Sequence, residues 1–138
     1  HMEEIDLCWR AKNNGHQVFY YPHSKVYHLG GGTMQNTNPR KTFLNFRNSL
    51  LTLYKNDSSN YTMLKIFLRL VLDGAAFVKL FFESGPKHAF AILEAHISFY
   101  KMKKKRPKRS KVNLKGMYHT SIAFEYFAKG KKQFNQLK

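Results

Sequence analysis

A mainly α chain with one small β element is what this sequence predicts, and three observations predict it. Apolar residues recur at helical spacing through most of the chain after Pro39. Ahead of that point, "HQVFYYP" and "SKVYHL" are short runs rich in β-branched and aromatic residues. Glycine and proline clusters (Pro22, Gly30 to Gly32, Pro39, Gly85-Pro86) punctuate the periodic stretches. Together they divide the chain into residues 1–38 and a helical, basic part, residues 39–138.

The elements follow in order. "EEIDLCWRAKNNG" reads as a short helix: three acids suit its positive N-terminal end, Asp6 and Arg10 can pair at i,i+4, and Gly15 can cap the C-terminus. A strand and an edge strand, hinged at Pro22-His23, are expected near residues 17–28, and "GGGTMQNTNP" is a loop. Pro39 suits a helix start, with Phe43, Phe46, Leu50, Leu53 and Tyr54 at helical spacing. "KNDSSN" breaks that helix, and a longer one is expected from about Thr62 to Phe82. Pro86 opens a third, with Ala89, Leu93, His96, Ile97 and Tyr100 on one face, and "TSIAFEYFAKG" a last short one ending at Gly130.

The stretch 63–82, "MLKIFLRLVLDGAAFVKLFF", is long enough to cross a bilayer core, but it carries Lys65, Arg69, Asp73 and Lys79. Each would cost about 2.5–3.5 kcal/mol at the centre of a spanning helix. The four charges fall on one side, and Leu64, Phe67, Leu70, Val71, Val78, Phe81 and Phe82 form the opposite stripe. Such a helix packs on protein or lies in a membrane interface; it does not span.

Composition narrows the partners. The 138 residues suffice for one domain with a real core. Lys and Arg number 24 against 8 Asp and Glu, a net charge of +16, and no acid lies between Glu94 and Glu125. Residues 101–111, "KMKKKRPKRSK", are either a solvated loop or a contact with polyanions, nucleic acid or anionic lipid. The lone Cys8 excludes an internal disulfide and suits a reducing compartment. The opening "HMEEID" is acidic where a secretory signal would be basic.

Two constellations could carry chemistry. Glu3, Glu4 and Asp6 are close enough to resist ionising together, which would suit a general base; the plainer reading is three acids complementing a helix dipole. His28 is followed almost at once by Gly30, Gly31 and Gly32, either a flexible linker or a backbone able to wrap an anion. The other histidines show no metal-ligand spacing, and His96 reads as a satisfied core residue.

Taken together, "EEIDLCWRAKNNGHQVFYYPHSKVYHLGGGT" resembles the C-terminal edge of the catalytic domain in family 2 glycosyltransferases of GT-A fold. Glu3, Glu4, Asp6, Leu7, Arg10, Gly15, Pro22, Val26, His28 and Gly31 fall in register with the family pattern, and "NPRKTFLNFRNSLLTLYKN" is similar to the helix that follows it in bacterial members making surface polysaccharides. The dense match covers about residues 3–56. The resemblance implies that residues 1–38 are the C-terminal remnant of a GT-A α/β domain and residues 39–138 its helical extension.

It also implies an inverting transfer of a sugar from a nucleotide diphosphate donor to a glycan or lipid-linked acceptor. Glu4 stands where the base usually is, with Glu3 and Asp6 beside it, and His28 with Gly30, Gly31 and Gly32 would meet the diphosphate. A divalent cation, magnesium or manganese, would serve the full-length parent, with His28 contacting it only together with the N-terminal half. The nucleotide-binding half and its D-x-D motif are missing, since the only aspartates are Asp6, Asp57 and Asp73, so the piece alone should be inactive and hold no cation tightly.

Peripheral attachment to the cytoplasmic face of the inner membrane is expected through Lys103, Lys104, Lys105, Arg106, Lys108 and Arg109, within the lysine-rich block 101–111, acting with helices 63–82 and 86–101. Exposed strand edges could re-pair with a second copy. The alternative is a basic helical nucleic-acid-binding or membrane-docking module; Tyr100, Tyr118 and Phe124 flank the basic block, but no recognised nucleic-acid-binding motif accompanies them. A third reading is a purely structural, membrane-docking or oligomerising helical domain.

Overall fold

The computed structural model describes residues 1–27, 38–104, 118, 120 and 122–137. Among them the chain is mainly α: α1 (Glu3–Asn13), α2 (Pro39–Asn56), α3 (Thr62–Glu83), α4 (Pro86–Met102) and α5 (Ile122–Phe127), with a 3-10 turn at Phe134–Gln136.

Local chemistry accounts for the helix ends. Past α1, the Gly15 N–H donates to the Lys12 carbonyl at 3.0 Å and the His16 N–H to the Ala11 carbonyl at 3.0 Å. This Schellman closure needs the left-handed φ of +83° that Gly15 adopts. The Asn38 side chain accepts the Arg40 N–H at 2.9 Å, and Pro39 occupies the first turn of α2, where its missing N–H costs nothing. Gly85, at φ +91°, turns the chain from α3 into Pro86.

α2, α3 and α4 form a three-helix unit. α2 and α4 run parallel, since Thr42 meets His88 near their starts and Tyr54 meets Phe99 near their ends. α3 runs back against them, bringing Asp73 to His96 and Phe77 to Phe90. Leu50, Ile66 and Phe99 are fully buried at the centre, with Leu51, Leu53, Tyr54 and Leu70 around them. α4 faces inward with Ala89, Ala91, Ile92, Ala95 and Phe99, mostly small side chains that let it lie close to α2. Leu93, Ile97 and Tyr100, expected on the packed face with Ala89, point outward instead. The inward stripe runs through Ala89, Ile92, Ala95 and Phe99.

α3 is turned over relative to an ordinary amphipathic helix. Thr62, Ile66 and Asp73 are its buried residues, while Leu64, Phe67, Val71, Val78 and Phe82 are exposed. Asp73 retains 2% exposure, accepting from Arg69 Nε at 2.7 Å and lying 3.0 Å from His96 Nε2. The Arg69 guanidinium also stands over the Phe46 ring at 5.9 Å. His96 is therefore satisfied by Asp73.

The strand pair expected near residues 17–28 is absent among the described residues: 16–27 hold no strand. Phe19, Tyr20, Val26 and Tyr27 are exposed, and no described segment offers them a ladder partner. Strand-forming residues make a strand only where another backbone meets their N–H and C=O groups.

Asp73 generates a stability prediction. Asp73→Ala removes the carboxylate that answers both Arg69 and His96, leaving the half-buried His96 without that acceptor, so unfolding stability should fall by about 1–3 kcal/mol. Urea denaturation followed by circular dichroism checks it; a change below about 0.5 kcal/mol, the range of ordinary surface substitutions, would mean the network is screened by solvent.

Candidate functional site

The acid cluster occupies the first turn of α1, a helix with no buried residue. α1 is held to the three-helix unit by polar contacts at the far end of α2. Asp6 Oδ1 accepts from Asn56 Nδ2 at 2.7 Å, and Oδ2 accepts from Arg10 Nε at 2.9 Å and Lys55 Nζ at 3.2 Å. Asn13 Nδ2 donates to the Asn56 carbonyl at 3.0 Å. Burial by itself would push the Asp6 carboxyl up, but the Asn56 and Lys55 hydrogen bonds and the charges of Lys55 and Arg10 outweigh it and hold it below the ordinary value.

The three acids thus differ in their surroundings. Asp6 is engaged by three donors. Glu3 is exposed and pairs with the amino group of His1, which holds its carboxyl below the ordinary value. Glu4 is exposed and has no side-chain hydrogen bond or ion pair among the described residues. With Ile5, Cys8, Trp9 and Lys12 it borders an open depression of about 320 Å³. The Trp9 indole Nε1 is buried and has no hydrogen-bond partner among the described residues. The depression itself is apolar, formed by Ile5, Cys8 and Trp9, and the exposed Glu4 carboxylate beside it is open to solvent and can accept a proton.

A second polar staple closes the turn between α2 and α3. Asp57 accepts from the Thr62 and Ser59 hydroxyls, each at 2.7 Å, and from Lys65 Nζ at 3.1 Å. Burial would raise its carboxyl, and these hydrogen bonds together with the Lys65 charge bring it below the ordinary value.

His28, Gly30, Gly31 and Gly32 lie outside the described residues, as do Lys105, Arg106, Lys108 and Arg109. Of the basic block, Lys103 and Lys104 are described: they follow the end of α4, and Lys103 Nζ stands 4.5 Å from the centre of the Tyr100 ring. Among the described residues no three His, Cys, Asp or Glu side chains converge as metal ligands, and no helix is long and apolar enough to cross a membrane.

Sequence reasoning missed Lys55 and Asn56, which orient Asp6 from about fifty positions away. The only local signal was the pair "KN" at the end of a helical period, and nothing in it points to α1. No protein-family model, curated protein or solved structure matches the chain.

The depressed Asp6 carboxyl generates a pH prediction. A folded-state value below the unfolded one contributes stability that is fully present above the unfolded value, about 3.9, and is lost as pH falls through the folded value. Amides of α1 should therefore lose hydrogen-exchange protection in acid before those of α2 and α4. Asp6→Asn should bring on the same release at neutral pH, and equal protection of α1 in the variant and the original would show that the latch does not hold the helix.

Proposed function

We propose that this chain is the C-terminal part of an inverting glycosyltransferase that moves a sugar from a nucleotide diphosphate donor to an acceptor hydroxyl. The observation that carries the reading is the unequal treatment of the three acids: Asp6 is locked to Asn56, Lys55 and Arg10, whereas Glu4 stands exposed at the rim of an open depression. One acid is built to position, and one is free to react. That division fits the resemblance of residues 3–33 to the edge of a family 2 catalytic domain, in which Glu4 would take the proton of the acceptor hydroxyl.

Two further features support the reading. The Trp9 N–H is buried with no hydrogen-bond partner among the described residues, and Ile5, Leu7, Phe19 and Tyr20 are exposed, as expected of a surface that continues into a nucleotide-binding half. In the whole enzyme a divalent cation would neutralise the leaving diphosphate, chiefly through oxygen ligands of that other half. His28 and Gly30 to Gly32 would approach the same diphosphate.

In the full-length enzyme, Glu4→Gln should abolish transfer and leave donor binding intact, because the amide keeps the shape but cannot take a proton. Turnover with purified acceptor and donor titration by calorimetry check both halves; near-normal turnover would move the base role to Glu3 or Asp6. His28→Ala should weaken metal-dependent donor binding, and unchanged metal and donor affinities would restrict His28 to a structural part.

A further inference from the structure

We infer that the outward face of α3, joined to the aromatic edge of α4, seats this protein on an anionic lipid surface. Leu64, Phe67, Leu68, Val71, Ala75, Val78 and Phe82 are all exposed. At 100° per residue they fall within about 100° of the α3 circumference. The face runs five turns without a charge at its centre, and Phe82 is 81% exposed. Soluble monomers seldom leave so long an apolar stripe in water.

The charges of α3 are turned away from this face and matched within the protein. Lys65 reaches Asp57, and Arg69 reaches Asp73. Lys79 and Glu83, 3.9 Å apart, stand at the border of the stripe and can reach headgroup level. Burying the stripe in an acyl boundary therefore strips no charge of its partner. Ring contacts extend the surface to α4: Phe82 meets Phe81, Phe81 meets Phe77, and Phe77 meets Phe90.

Charge selects the occupant. The exposed Ile97 and Tyr100 of α4 are followed by Lys101 in its last turn and by Lys103 and Lys104 just past its end, and the whole chain carries +16. A second copy laid on this face would bring the same +16 with it, so self-pairing opposes itself. A nucleic acid answers the charge but supplies no apolar phase for Val78 or Phe82. An anionic bilayer supplies both: acyl chains for the stripe and phosphates for the lysines. Since no described helix is long and apolar enough to span, α3 lies along the surface.

Vesicle co-sedimentation of the 138-residue chain tests this, and it requires no nucleotide sugar, so its failure and that of the transfer reading are separable. Binding is expected to vesicles of equal phosphatidylglycerol and phosphatidylcholine, at least tenfold stronger than to phosphatidylcholine alone. Val71→Glu combined with Val78→Glu, both on exposed positions, should cut it at least tenfold with helical circular dichroism unchanged. Lys101→Glu, Lys103→Glu and Lys104→Glu together should remove the preference for phosphatidylglycerol. Undiminished binding by the valine variant, or no binding by the original to either vesicle, overturns the proposal. So does a dimer, seen by light scattering, that the valine variant dissociates while vesicles take up nothing; the face then belongs to a second copy. Tighter binding to single-stranded RNA than to vesicles at physiological salt overturns it in favour of a polyanion.

Discussion

The carboxylate of Asp73, buried between α3 and α4, is the constraint on which the arrangement of this protein depends. A carboxylate out of water needs its charge answered, and here Arg69 lies one turn before it and His96 across the helix interface. That requirement sets the rotation of α3. Once Asp73 faces inward, Ile66 and Thr62, on the same side of the helix, are carried into the unit as well, and the apolar stripe on the opposite side must face out. The polar network and the exposed face are one decision about one helix, seen from its two sides.

A similar logic joins α1 to the rest. α1 has no fully buried residue, its Cys8, Trp9 and Ala11 being half-buried, and Asp6, Asn13, Lys55 and Asn56 add a polar latch to α2. Such a latch is directional: it fixes one end of the helix and leaves the Glu4 side open. Hydrogen bonds to an ionised carboxylate are worth more than neutral ones but depend on its charge, so the attachment is sensitive to acid in a way that the Leu50, Ile66 and Phe99 core is not. The Asp6 latch between α1 and α2 thus rests on charge, while the helical unit is held by apolar burial.

The local elements were legible because their causes are local. Pro39 and Pro86 open helices, Gly15 closes one by a left-handed turn, and "KNDSSN" interrupts the helical period, all within a few residues of the structure they produce. The Asp6–Arg10 pair was readable for the same reason, being one turn apart. The strand expected near residues 17–28 was not, because a strand is a property of two backbones and only one was in view. The Leu93, Ile97 and Tyr100 stripe misled in the same way. It is as apolar as the buried stripe beside it, and the small alanines that allow close approach to α2 look unremarkable in a helical period.

The sequence by itself determined that this is a chain of amphipathic helices with a large excess of positive charge, an acid cluster at the start of α1 and a charge-interrupted helix too polar to span a membrane. Spacing and composition suffice for such statements, since they follow from the 3.6-residue period and from simple counting. Which side of α3 faces protein was decided only by tertiary structure. Both sides of that helix had a plausible partner, and the choice turned on His96, more than twenty positions from Asp73. Likewise, the difference between Asp6 and Glu4 came from Lys55 and Asn56, about fifty positions away. A side chain's role depends on the groups that desolvate it and answer its charge, and those groups are neighbours in space rather than along the chain.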